Sequence, residues 1–234
     1  MKLDLNKAKK RVDYLDKLRI QRALSDTPES FQQVFKLIPL LLHFNHPDLP
    51  GYVPGAPTGI ANFHPNKFQQ EYLSNILATE NIKNFLKKHR TFESEAILGV
   101  YVMGSIASIA QTPQSDLDIW LCHQENLSLS ARELLQQKTE CIQQWAKRFN
   151  VEINFYLMDQ KRFRCFRYAA PINSENCGSA QYMLLLDEFY RSVIRLAGKP
   201  LLWLHLLIEN EANYEAEIER LTQTQQLDLN DWVD

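Results

Sequence analysis

Two short apolar runs constrain this chain more than any other feature. Residues 96–103, Ala-Ile-Leu-Gly-Val-Tyr-Val-Met, carry no charge and read as a buried strand. Residues 117–122, Leu-Asp-Ile-Trp-Leu-Cys, read as a second strand with alternating faces. Between them lie Gly104-Ser105, a turn with Ile106, Ser108 and Gln111, and then Ser115-Asp116. A helix is expected over 128–149, with Leu134, Leu135, Cys141, Ile142 and Trp145 inward, and a third strand over 151–158. The period and the Gly198 and Pro200 stop signals predict a last helix over 180–197.

The first part of the chain has a different texture. Helices are expected over 3–24 and from Ser30, which can cap a segment carrying Phe31, Val34, Phe35 and Ile38. Pro39 should bend or end that second helix. Residues 45–66 hold five of the ten prolines and three of the seven glycines, so this segment is irregular. A third helix is expected over 67–89. The order makes an α+β fold, with residues 1–92 an N-terminal helical annex containing the Pro-rich loop and 93–234 the core.

Composition narrows the function classes. A 45% hydrophobic, 23% charged chain of 234 residues can bury a core. A net charge of -2 lacks the footprint of a duplex binder, so no nucleic-acid partner is expected. The longest apolar run, Leu37 to Leu42 interrupted by Pro39, is far short of the ~20 residues of a membrane span. Cys122, Cys141, Cys165 and Cys177 have no zinc-ligand spacing, and neither do the six histidines; reduced thiols and a cytoplasmic location are expected.

The chemistry concentrates between the first two strands. Gly104 lets the backbone approach a ligand closely, and Ser105 offers a hydroxyl and an N–H to phosphate oxygens, with Ser108 and Ser115 as further donors. Asp116 and Asp118 are two apart, so both carboxylates leave one face. Two such carboxylates repel unless a cation sits between them, and Mg²⁺ is held in this way together with phosphate oxygens. Such a site also calls for a third carboxylate from a neighbouring strand, and Glu152 is the candidate, on the polar face with Asn154. Asp187, Arg191 and Arg195 would stack at i, i+4 and i+8, either as a surface ion-pair ladder or with Arg195 or Lys199 reaching a triphosphate. Cys177-Gly178-Ser179 before that helix reads equally as a phosphate-contact turn or a plain N-cap.

These residues carry a resemblance. Val100 to Ser105 followed by Ser115-Asp116-Leu117-Asp118-Ile119-Trp120 resembles the DNA polymerase β-type nucleotidyltransferase superfamily. Flanking segments, among them His46-Pro47-Asp48-Leu49-Pro50-Gly51-Tyr52, Leu185 to Arg191 and Arg195-Leu196-Ala197-Gly198-Lys199, resemble more narrowly the class I adenylate cyclases of gamma-proteobacteria. The resemblance implies a nucleotidyltransferase-type mixed β-sheet with packed helices. It implies conversion of ATP to cyclic AMP and pyrophosphate by two-metal intramolecular attack of the ribose 3′-OH on the α-phosphate, with Mg²⁺ (or Mn²⁺) on Asp116, Asp118 and Glu152. The residues alone leave open another nucleotidyltransferase acting on a small-molecule, protein or RNA acceptor, or a non-catalytic nucleotide-binding module. Gly104, Ser105, Ser115, Arg195 and Lys199 would bind the nucleotide. It also implies a C-terminal regulatory region as a partner, because full-length members of that family are several times longer.

Overall fold

A computed structural model describes residues 4–77, 81–88, 95–107, 116–159, 187–206 and 213–234. Four strands form one sheet: β1 (Ile97–Met103), β2 (Leu117–His123), β3 (Ile153–Asp159) and β4 (Ile194–Gly198), in the order β3-β2-β1-β4. β1 pairs antiparallel with both β2 and β4, whereas β2 and β3 run parallel. A parallel pair needs a crossover, and helix α5 (Leu129–Lys147), capped by Ser128, supplies it. The expected α+β class with a mixed sheet and packed helices is the one observed.

One expected element changes identity. Within 180–197 only residues 187–192 are described as helical, and Ile194–Gly198 is instead the edge strand β4. Ile194 and Ala197 face the core cluster and the run pairs with β1, so ladder formation with a ready edge outweighs the helical period.

The N-terminal helices are α1 (Leu5–Ser25), α2 (Glu29–His43), α3 (Lys67–Ile76) and α4 (Ile82–Lys88). The helix expected over 67–89 is thus two. Pro28, not Ser30, occupies the cap of α2, and the helix continues through Pro39. An interior proline costs about 3 kcal/mol. Every residue from Leu37 to His43 is buried, and each apolar side chain among them returns about 1.5–3 kcal/mol, so packing overrides the breaker. On α1, Leu5, Ala23 and Leu24 are buried while Leu15 and Leu18 are exposed, and Arg19 adds a polar attachment, donating to the carbonyls of Ser192 (2.6 Å) and Val193 (3.1 Å).

One sheet face carries Val100, Val102, Leu117, Ile119, Leu121, Ile153 and Ile194 into a cluster with α2 and α5. That cluster joins residues from both sides of residue 92. The irregular stretch after α2 is fastened to it. His43 Nδ1 accepts from Ile60 N at 2.9 Å, and Ile60 bridges Ile97. Gly51, at φ +83°, presses on α5 so closely that a Cβ would stand 2.4 Å from Ile142 Cγ1. Lys138 is fully enclosed on α5, where an apolar inner face was expected. Its Nζ donates to Phe44 O (2.7 Å) and Asn45 Oδ1 (3.1 Å), and burial pulls it down to about 7.

Candidate active site

The opposite sheet face holds Tyr101, Met103, Trp120 and Met158 under Phe189, with Trp120 stacked on Phe189 at 4.5 Å. Asp116 and Asp118 open from the end of this face. The parallel register sets Asp118 beside Asn154 and Leu117 beside Ile153, so Asp116 falls beside Glu152. Asn154 Nδ2 donates to Asp116 Oδ2 at 2.9 Å and to Asp118 Oδ1 at 3.1 Å. The Tyr156 hydroxyl donates to Asp118 Oδ1 at 3.3 Å.

Gly104 closes the site from β1. Its φ is +80°, and a Cβ would stand 3.2 Å from Asp118 Oδ2 and 3.5 Å from Glu188 Oε1. Its N–H donates to Ser192 Oγ at 3.0 Å, and that hydroxyl donates to Glu188 O at 2.8 Å. The helical turn 187–192 is thereby tied under the end of β1, which brings the Glu188 carboxylate toward Asp118.

Burial pushes the Asp118 carboxyl up, and Asp116 and Glu188 push the same way, against the hydrogen bonds from Asn154 and Tyr156. Burial also raises the Tyr156 phenol, with Asp118 adding to it, so Tyr156 stays a neutral donor. A half-buried pair of like charges is what a divalent cation relieves. Asp116 Oδ1 and Asp118 Oδ2 accept no hydrogen bond from the described residues, which leaves one oxygen on each for a cation. Two carboxylates completed by substrate oxygens suit Mg²⁺ or Mn²⁺.

The other expected site residues do not join the Asp116/Asp118 pair among the described residues, although Glu152 is the ladder neighbour of Asp116. Glu152 stands exposed, one residue before β3, and among the described residues no three carboxylate, imidazole or thiol groups converge on one point. Asn154 occupies the bridging place expected of Glu152, and Glu188, not Glu152, bears electrostatically on Asp118. Arg195 does not continue an Asp187–Arg191 ladder. Arg191 pairs with Asp187 at 3.0 Å on the surface, while Arg195 on β4 holds Asp13 at 2.5 Å and Gly198 O at 2.8 Å. Lys199 donates its N–H to Leu98 O and lies near Cys122, whose thiol burial pushes up to about 12 while Lys199 opposes the rise. Leu98 is five residues along β1 from Met103, the partner of Asp118, roughly 16 Å at ~3.3 Å per residue. The Ser105 backbone lies in the 3-10 turn Gly104–Ala107. The Ser105 side chain, Ser108, Gln111, Ser115, Cys165 and the Cys177–Ser179 turn lie outside the described residues.

Asn154, Tyr156, Glu188 and Ser192 were not singled out as site residues from the sequence. The first two carried a signal: they continue the period-2 polar face that begins at Glu152. Glu188 and Ser192 carried none locally, since their place depends on the return of 187–192 beneath β1.

A glycine turn ends β1 and two same-face carboxylates stand at the start of β2, on a mixed sheet backed by helices, an arrangement with the chemistry to accept a divalent cation. The chain belongs to the adenylate cyclase family: the family model described as "Adenylate cyclase NT domain" matches residues 4–204. It is 64% identical over 235 residues to adenylate cyclase of Pasteurella multocida (strain Pm70), covering all of this chain and 28% of that protein. Adenylate cyclase of Haemophilus influenzae (strain ATCC 51907 / DSM 11121 / KW20 / Rd) is 54% identical with the same coverage, and that of Escherichia coli (strain K12) is 40% identical with 27% of its length covered. The chain thus spans between a quarter and a third of the length of these relatives. Among solved structures, "Crystal structure of the toxin-antitoxin with AMP-PNP" matches at 17% identity and a TM-score of 0.26, over 62% of this chain and 86% of that one, too distant to carry an argument. No helix among the described residues is long and apolar enough to cross a membrane.

Proposed function

We propose that this chain carries the nucleotide-cyclising site of an adenylate cyclase, which converts ATP to 3′,5′-cyclic AMP and pyrophosphate. The ribose 3′-OH attacks the α-phosphorus of the same ATP; one P–O bond forms, the bond to the β-phosphate oxygen breaks, and the hydroxyl proton leaves to solvent. The observation that supports this best is the Asp116/Asp118 pair, bridged by Asn154, with one oxygen on each carboxylate that accepts no hydrogen bond from the described residues. Mg²⁺ (or Mn²⁺) in that pair would lower the pKa of the hydroxyl and neutralise charge on the triphosphate. Asp116 and Asp118 would hold that cation, and Gly104, without a Cβ, leaves space beside Asp118 Oδ2. Ser105 and Ser115 are proposed as donors to phosphate oxygens. Glu188 is a candidate third carboxylate, on its electrostatic effect on Asp118. Positioning and electrostatics are then the whole of the catalysis.

The polypeptide that continues beyond this region in the longer relatives is proposed as the regulatory partner, and a cytoplasmic location goes with the proposal. Turnover of labelled ATP with Mg²⁺ or Mn²⁺ tests it, with this chain and a full-length relative side by side. Cyclic AMP that disappears in Asp116→Asn and Asp118→Asn is expected. A nucleotidylated acceptor in place of cyclic AMP, or undiminished cyclic AMP from either variant, overturns it.

A further inference from the structure

The bridging amide suggests a role for a residue that is neither acidic nor charged. We infer that Asn154 is a positioning residue: one amide nitrogen sets the separation of Asp116 and Asp118 and turns one oxygen of each toward an incoming divalent cation. The inference rests on the metal-site reading above and adds what orders that site before the cation arrives.

Three observations carry it. Asn154 Nδ2 has two N–H groups and two carboxylate acceptors, at 2.9 and 3.1 Å, so each hydrogen has one partner. Carboxylates only accept, which fixes the amide with its NH₂ toward them. The oxygens it engages are Asp116 Oδ2 and Asp118 Oδ1; Asp118 Oδ2 is left on the Gly104 and Glu188 side. The parallel ladder makes this register rigid, since Asp118 and Asn154 are paired residues of β2 and β3. A carboxylate at 154 would add a third negative charge and donate nothing. An aliphatic side chain would leave two repelling carboxylates free to splay. Partners one step removed from a metal commonly change its affinity by ~10–100-fold when lost.

The test is Mn²⁺ binding without nucleotide, followed by the EPR signal of free Mn²⁺, on the 234-residue protein, Asn154→Ala, Asn154→Asp and Asp118→Asn, with the melting temperature of each. Asn154→Ala and Asn154→Asp are each expected to weaken binding by about 10–100-fold, with folding retained. Mn²⁺ affinity unchanged in Asn154→Ala overturns the positioning role. Equal or tighter binding by Asn154→Asp also overturns it, because residue 154 would then act as a ligand. If Asp118→Asn binds Mn²⁺ as the parent does, the metal-site reading itself fails and the positioning role goes with it; loss in Asp118→Asn with no change in the 154 variants removes only the positioning role.

Discussion

Lys138 on α5 and Asp118 on β2 are both withdrawn from bulk water, one wholly and one in part, and among the described residues neither has an oppositely charged partner in contact; the molecule handles them in opposite ways. Lys138 is fully enclosed and meets two neutral oxygens, so a neutral amine with two N–H groups satisfies the site. Asp118 is half-buried, receives two donors on one oxygen and keeps the other open beside Gly104. One charge is designed out by burial, and the other is held where a ligand can neutralise it. A buried charge therefore signals function only when the site leaves it an open direction.

The largest expected effect breaks the Asp118 side of this comparison. Asp118→Asn should lower cyclic AMP formation by about a thousandfold, since a metal contact supplies several kcal/mol at ~1.4 kcal/mol per tenfold. The same change should raise the melting temperature of the metal-free protein. The folded carboxyl is raised, so its contribution is fully present below the unfolded value of 3.8 and lost as pH climbs through the folded value. At neutral pH the ionised group is a cost, and Asn removes it. A fall in metal-free stability would mean that Asp118 is held mainly for the fold.

Next comes the Lys138 side. Its value is about 7 folded and 10.5 unfolded, so between these the unfolded chain holds a proton that the folded chain lacks. Stability must then rise with pH in this window, by at most ~1.4 kcal/mol per pH unit. From about 9 the rise levels off, because buried Cys122 keeps its proton to about 12 while the unfolded thiol loses it, and the trend turns downward above 10.5, where the unfolded lysine is neutral as well. Melting measured from pH 7 to 8.5 should climb in the parent and stay flat in Lys138→Met. The variant should also be less stable throughout, by ~1–3 kcal/mol, because Phe44 O loses its Lys138 donor and Asn45 Oδ1 keeps only the Val53 N–H among the described residues.

A third effect separates the loop from the candidate site. Gly51→Ala meets Ile142 at 2.4 Å and a positive φ, and should cost about 3 kcal/mol. Gly55→Ala, with φ +76° and an ordinary 3.7 Å contact to Leu134, should cost about 1–2 kcal/mol. Both should leave cyclic AMP formation per folded molecule unchanged, because the loop they strain lies against α5. A large loss of turnover in Gly51→Ala would couple the two regions that the comparison treats as separate.

The two sides also differ in how far the sequence revealed them. β1, β2 and α5 were legible to within a residue or two, because an uninterrupted apolar run, an alternating run and a 3.6-residue period are local properties. Asp116 and Asp118 were legible for the same reason. β4 was not: Asp187, Arg191 and Arg195 fit a helical period, and only the open edge of β1 decides for a strand. Lys138 was not, because a lysine on a helix reads as solvent-facing until the chain around Asn45 folds over it. Asn154 sits on the expected polar face, but the chemistry of a third acid there points to Glu152 and not to an amide.

Tyr156 gives the smallest effect and the finest test of how Asp118 is held. Its hydroxyl reaches Asp118 Oδ1 at 3.3 Å, longer than the 3.1 Å bond from Asn154 to the same oxygen. Its ring lies 5.7 Å from Trp120, a contact that phenylalanine would keep. Tyr156→Phe thus removes one long hydrogen bond and little packing, worth about 1 kcal/mol, or about fivefold in Mn²⁺ affinity. Because burial holds the phenol above its ordinary value, the bond persists across any assay between pH 7 and 9, and the ratio of parent to variant should be flat over that range. An effect as large as that of Asn154→Ala would make the two donors equal partners. No effect would leave Asp118 to Asn154 alone.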